Sequence, residues 1–246
     1  MGIPLFFLQD QKPLLGKGTT MKNFLCFSFL FGAIAFIAVQ SDAQSVYIGA
    51  RVGANLANEA ITPNEWSTTS IQPGFIIGGQ IDIPLSGFLT LSVQIDYDQK
   101  GSNEVRDLVN GSYGYDTESL TYNYLEIPIL LKASFGSGPI KPFLFAGPSV
   151  AFFLSGTDKI RSTGSFIFLP PHHVDTTVSV QASNINSPDF SAIFGAGISF
   201  HLNSGPLLFF DASYALGLVN IDNTDDELTI KSRDIRIAAG ALFPID

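Results

Sequence analysis

At 246 residues the chain has room for one all-β domain of barrel size, and only 14% of it is charged, against roughly 25% in an ordinary soluble domain. Aromatic residues reach 12%, with 22 Phe, so an unusual share of the surface must be buried or sheltered from water. A formal charge of −9 excludes the basic footprint that nucleic acid requires.

The longest apolar run, Phe24 to Val39, follows Met21-Lys22-Asn23 and precedes Ser41-Asp42-Ala43. A basic start, an apolar middle and a small-x-small ending are the parts of a secretory signal peptide over residues 21–43, with cleavage expected before Gln44. The run falls short of the ~18–20 residues of a membrane anchor. Cys26 precedes the apolar stretch instead of following it, which argues against a lipoprotein. Residues 1–20 read as a miscalled upstream start, with translation beginning at Met21, and residues 44–246 as the barrel domain. Cleavage would remove the one cysteine and leave a slightly more acidic chain that must close without disulfides.

Eight segments then alternate with period two. They are Val46 to Ala57, Phe75 to Leu85, Phe88 to Gly101, Tyr122 to Ala133, Lys141 to Leu154, Asp189 to Leu202, Leu207 to Val219 and Arg233 to Phe243. Successive side chains of a strand point to opposite faces. In the third segment Leu89, Leu91, Val93, Ile95 and Tyr97 lie on one face, opposite Gln94, Asp96, Asp98 and Lys100. In the fourth, Leu125, Ile127, Ile129 and Leu131 oppose Tyr124, Glu126 and Lys132. The fifth contains Pro142 and Pro148 and alternates poorly.

Three connections are tight, near Ser86-Gly87, Gly136-Ser137-Gly138-Pro139 and Asn203-Ser204-Gly205, and glycine at each suggests positive φ. The others are long and polar: 58–74, 102–119, 156–188 and 220–232. Short and long connections alternate strictly, which puts every short one at the same end. This is the pattern of an eight-stranded antiparallel up-and-down transmembrane β-barrel, with short periplasmic turns and longer outer loops. A soluble barrel of the lipocalin kind would turn its apolar face inward and has no need to gather its long loops at one end.

If the apolar face meets lipid, the lumen collects Arg51, Asp82, Gln94, Asp96, Glu126, Lys132, Asp211, Asp234 and Arg236. Eight strands leave room only for side chains, so these groups should pair across a closed lumen, with Arg51 and Arg236 as hubs. Asp98 and Lys100 are expected at a wetted rim. Pro128 cannot donate to the ladder, so a bulge or bend is expected there.

The run Tyr124-Leu125-Glu126-Ile127-Pro128-Ile129-Leu130-Leu131-Lys132 resembles the most recognisable motif of the PorT-like outer membrane β-barrel domain of Bacteroidota. Similar to that family are also Gly49, Gly53 and Asn55 in the first segment, Asp96 to Gly101 ending the third, and Pro142 to Gly147 opening the fifth. The resemblance covers essentially the whole mature chain. It implies an outer membrane location and, from the family's namesake, a part in secretion of proteins across that membrane.

Other candidates are weaker. His172-His173-Val174-Asp175 offers too few ligands for a metal site. Ser199 and His201 share a face, but no third group completes a hydrolytic set. Asp222, Asp225, Asp226 and Glu227 read as a solvated acidic loop before a calcium site. Neither catalysis nor a cofactor is expected. The connection over 156–188 is the functional candidate: the fifth and sixth segments should continue above the membrane as a hairpin tipped by Phe166, Ile167, Phe168 and Leu169, an apolar patch suited to a partner or to folding over the barrel mouth. The expected function is a non-enzymatic outer membrane barrel, seated in lipid and acting through its loops on a secretion-machinery or surface protein. The alternative is a barrel passing a small hydrophobic ligand through a lateral opening.

Overall fold

The computed structural model describes residues 45–62, 68–107, 113–165, 172–202, 205–223 and 229–245. The upstream stretch and the signal peptide expected over 1–43 lie outside these residues, as do Phe166, Ile167, Phe168 and Leu169. Nine antiparallel strands are present among the described residues: β1 (Val46–Thr62), β2 (Thr68–Pro84), β3 (Leu89–Asp107), β4 (Tyr113–Ser134), β5 (Ile140–Ser165), β6 (His172–Val180), β7 (Asp189–His201), β8 (Leu207–Gly217) and β9 (Thr229–Ile245). Eight of them form a ring. Each pairs with its chain neighbour, β7 pairs with β5, and β1 closes on β9 from Val46↔Ile245 to Thr62↔Thr229. Closure leaves the ring without the unpaired edge that lipid cannot satisfy.

The face assignment follows the alternation. Ile95 is 56% exposed and its neighbour Asp96 2%. Val52, Ile77, Leu131, Leu144, Phe194, Phe210 and Ile237 join Ile95 on the outside. This is the inverse of a soluble core, and the apolar band is the surface a bilayer covers. The turns at Leu85–Phe88, between β4 and β5, and between β7 and β8 lie at the end where Val46 meets Ile245.

The strands outrun the periodic segments, chiefly at the other end. Most of the expected loop over 102–119 is strand, as β3 and β4 stay paired up to Asp107↔Tyr115. Beyond the apolar band the outward face turns polar like the inward one, so hydropathy no longer alternates although Thr, Ser and Tyr still suit a pleated sheet. Gly101 lets β3 run on: it takes φ +147°, and an added Cβ would sit 2.0 Å from the Leu120 carbonyl oxygen. The hairpin expected above the membrane is present as β5 and β6, paired from Gly156↔Val180 to Gly164↔His172.

Two local expectations fail. The register is continuous across Pro128, from Asp96↔Glu126 to Val93↔Ile129 on one side and from Pro128↔Ser149 to Leu131↔Ala146 on the other. The irregularity falls instead between Asn123 and Tyr124, where Leu154 is the extra residue of β5. Among the tight turns Gly136 takes positive φ (+91°) and Gly87 does not. There the Leu85 and Ser86 amides both donate to the Leu89 carbonyl, at 2.8 and 3.1 Å, and Ser86 Oγ accepts from the Leu89 amide.

At the long-strand end β5 changes neighbours, from β7 up to Ala151 to β6 from Gly156. The chain from β6 back to β7 runs as a strap through a short 3-10 turn at Ala182–Asn184. It is fastened to the β8–β9 connection by an Ile185↔Asp222 bridge and by Asn186 Nδ2, which donates to the Asn220 and Asp222 carbonyls at 3.2 and 2.8 Å. Ile185 packs with Tyr122, Tyr124, Ala151 and Phe153 beneath it.

Candidate functional site

Inward positions of all eight ring strands converge on the lumen, where four buried cations (Arg51, Lys100, Lys132, Arg236) face seven buried carboxylates (Asp82, Asp96, Asp98, Glu126, Asp189, Asp211, Asp234). Every ionisable group expected in the lumen is there, together with Gln94. They fall into three clusters.

Nearest the short turns, Lys132 Nζ lies 2.7 Å from Asp82, which also accepts from Gln80 Nε2 at 2.8 Å. The same ammonium sits over the rings of Phe143 (4.8 Å) and Phe209 (5.6 Å). Both rings belong to an apolar cluster with Leu130, Phe145, Ile193 and Leu242 inside the barrel. The lumen is thus partly aromatic and not only ionisable as expected. Poor alternation in β5 hid its cause: Phe143 and Phe145 point inward and pack over glycines, with Phe143 Cζ 2.4 Å from where a Cβ on Gly197 would be.

In the middle, Arg51 donates to Gln94 Oε1 and approaches Asp96 at 3.5 Å and Asp211 at 3.8 Å. Toward the strap end, Arg236 grips Glu126 with two hydrogen bonds (3.1 and 2.9 Å) and reaches Asp98 at 3.0 Å and Asp234 at 3.3 Å. Lys100 Nζ lies 3.1 Å from Glu126 and within 3.7 to 3.9 Å of Asp98, Asp189 and Asp234. Ser149 donates to Glu126, and Asn55 Nδ2 donates to Asp98 at 2.8 Å.

Asp98 and Lys100 therefore do not sit at a wetted rim. With β3 extending to Asp107 they lie mid-strand, and Lys100 is a hub equal to Arg236. Asp189 and Asn55 were missed as members. Both lie on the inward parity of their segments, Asp189 with Ser191 and Asn55 with Arg51 and Gly53, so the alternation held the signal. Arg51 and Arg236 are hubs as expected.

Above the apolar band, where the outward side of β1 changes from Leu56 to Asn58, Glu59 turns inward and accepts from Ser102 Oγ at 2.8 Å. Burial, reinforced by the charges of Asp234, Glu104 and Glu118, pushes its carboxyl up to about 7 against the Ser102 bond. Ser199 and His201 face inward at the short-turn rim, where Ser199 Oγ donates to the Lys141 carbonyl. No group of three or more His, Cys, Asp or Glu able to hold a metal occurs among the described residues. Asp222 serves the strap, and residues 225–227 lie outside the described ones.

The family described as "Outer membrane protein beta-barrel domain" matches residues 40–223. Among solved structures, Neisserial surface protein A is 14% identical, with 83% of this chain and 100% of that one covered and a TM-score of 0.44. OprG from Pseudomonas aeruginosa is 10% identical with coverages of 84% and 99% and a TM-score of 0.46. The outer membrane protease OmpT from Escherichia coli has the same identity, coverages and score. No curated protein matches the chain.

Proposed function

The chain belongs to the outer membrane β-barrel domain family, and from that premise we propose that it is a non-enzymatic barrel whose sealed lumen holds up a partner-binding sheet above the bilayer. Within the family we assign it to the PorT-like group on the motif from Tyr124 to Lys132, with export through the signal peptide over 21–43. Its role is in secretion, assembly or surface interaction, and the namesake's part in protein secretion comes by analogy.

The observation that carries the reading is the edge of β6. Its residues pair with β5 on one side, and among the described residues no strand pairs with the other. Asp175 to Ser179 are exposed. Soluble folds protect such an edge with charge, proline or a covering segment; here the one described charge, Asp175, is bound at 2.9 Å to Arg161. An open edge of Thr, Val and Ser offers main-chain hydrogen bonds to an extended segment of a partner. The seven carboxylates and four cations, together with the aromatic cluster, support a lumen that conducts no solute.

The test is site-specific photocrosslinking from position 178 in living cells, compared with the same crosslinker in a Thr177→Lys/Ser179→Lys background and with deletion of residues 166–171. Adducts at 178 that vanish in the charged variant support the role. Full retention of every co-purifying partner and of the phenotype after both changes sinks it.

A second reading has one observation behind it. Above Ala151 the wall between β5 and β7 is completed by the strap and not by a ladder, with the apolar side chains of Ile185, Tyr122, Tyr124 and Phe153 behind it. A small hydrophobic ligand passing sideways would enter here. A disulfide between cysteines placed at positions 153 and 187, where Ser187 Oγ accepts from the Phe153 amide at 3.2 Å, would block such uptake and leave partner crosslinking intact.

A further inference from the structure

The short-turn end of the barrel holds a cavity of about 290 Å³ that the proposed role does not use. Lys132, Lys141 and His201 line it, together with Thr90 and Ser134. The carboxylate in the wall, Asp82, is bound to Lys132 at 2.7 Å and so offers no free negative charge. Lys141 forms no ion pair among the described residues. His201 presents its ring to the hollow while its Nδ1 is shut off from solvent. Ser199 Oγ, donating to the Lys141 carbonyl at 3.1 Å, ties β5 to β7 and fixes the spacing of Lys141 and His201.

In a chain of formal charge −9, a single ammonium without an ion-pair partner, that of Lys141, at a hydroxyl-bearing hollow calls for an explanation. The hollow has the volume of a small ligand site, and an ammonium group with hydroxyl and imidazole donors is suited to a tetrahedral oxyanion. We infer that this cavity is a phosphate-binding site, with Lys141 and His201 as its principal donors and Thr90 and Ser134 completing the shell. The phosphate is carried either by a free small molecule or by a lipid headgroup at the rim; both present the same group.

The full chain, folded in an uncharged detergent, is titrated with inorganic phosphate by calorimetry against chloride at matched ionic strength. One saturable site, weakened tenfold or more in the Lys141→Gln/His201→Gln variant, is expected for a free phosphate. Native mass spectrometry of barrels taken from phosphatidylcholine vesicles containing phosphatidylglycerol provides the second arm. One retained phosphatidylglycerol, lost in the variant, with no saturable heat from phosphate, identifies the headgroup as the source. Neither signal, or the same signal in the variant, overturns the proposal. Heat-modifiable migration verifies that the variant is folded, and Lys141→Gln alone serves for the same comparison if the double change is not.

Discussion

Arg236 and Glu126, 110 residues apart in the chain, meet across the lumen through two hydrogen bonds of 3.1 and 2.9 Å. The planar guanidinium matches the carboxylate fork, a geometry that lysine cannot copy. Removing one partner leaves the other charge buried, so Arg236→Ala should destabilise the barrel by about 3–5 kcal/mol. Arg236→Lys should recover less than half of that. Urea titration followed by heat-modifiable migration checks both, and a midpoint for Arg236→Ala equal to wild type would refute the network.

Arg51 joins the middle cluster through Asp96 and Asp211. Arg51→Ala should also cost about 3–5 kcal/mol. Combined with Asp211→Asn it should cost less than the sum of the two single changes, since the second change removes a carboxylate that the first has orphaned. Strict additivity would show that the two do not interact.

Gly197 makes room for a ring. An added Cβ would lie 2.4 Å from Phe143 Cζ and 2.6 Å from the Phe210 carbonyl oxygen. The ring can move but the carbonyl cannot, so Gly197→Val should cost at least the ~1–3 kcal/mol of ordinary overpacking, and Phe143→Leu should restore only part of it. Thermal unfolding in detergent measures this.

Glu59 supplies a pH dependence. Burial pushes its carboxyl up to about 7 from the ordinary 4.5, so between these values the native state holds a proton that the unfolded state has released. Stability from this group is fully present below about 4.5 and is lost as pH rises through about 7, a change of roughly 3 kcal/mol. Glu59→Gln should flatten the rise in urea midpoint between pH 7.5 and 5. An identical slope in wild type and variant would remove Glu59 from the account.

The strap hangs on Asn186, which donates to two carbonyls of the β8–β9 connection. Asn186→Ala should loosen it by about 1–2 kcal/mol and raise hydrogen exchange at Ile185 and Ile221 while the melting of the ring stays within error. Unchanged exchange would mean that the Ile185↔Asp222 bridge suffices alone.

The alternation of Leu89 to Tyr97 against Gln94 to Lys100 was enough to read strand faces, ring closure and most of the lumen, because lipid outside and ion pairs inside oblige each face to keep one character. Outside the bilayer that obligation ends. Past Gly101 the inward side of β3 stays buried but is polar (Ser102, Glu104) and the outward side has left the lipid, so with both faces polar Asn103 and Glu104 carried no strand signal, and the position of Lys100 was misjudged along with the strand's length. The inward Phe143, Phe145 and Phe209 were illegible for the opposite reason: an aromatic interior over Gly195, Gly197 and Gly240 makes both faces of a strand apolar. The three-way contact of Lys100 with Asp189 and Asp234 depends on shear around the ring, which no local pattern records.

The pairing of β1 with β9, from Val46↔Ile245 to Thr62↔Thr229, also governs how the molecule is made. The first strand to emerge waits for the last, so no partial translation product can form a cylinder, and every intermediate carries two open margins into whatever surrounds it. Ring closure therefore has to await β9, and a variant that weakens the β1–β9 seam should fail first in biogenesis, before any defect in the mature protein could be measured.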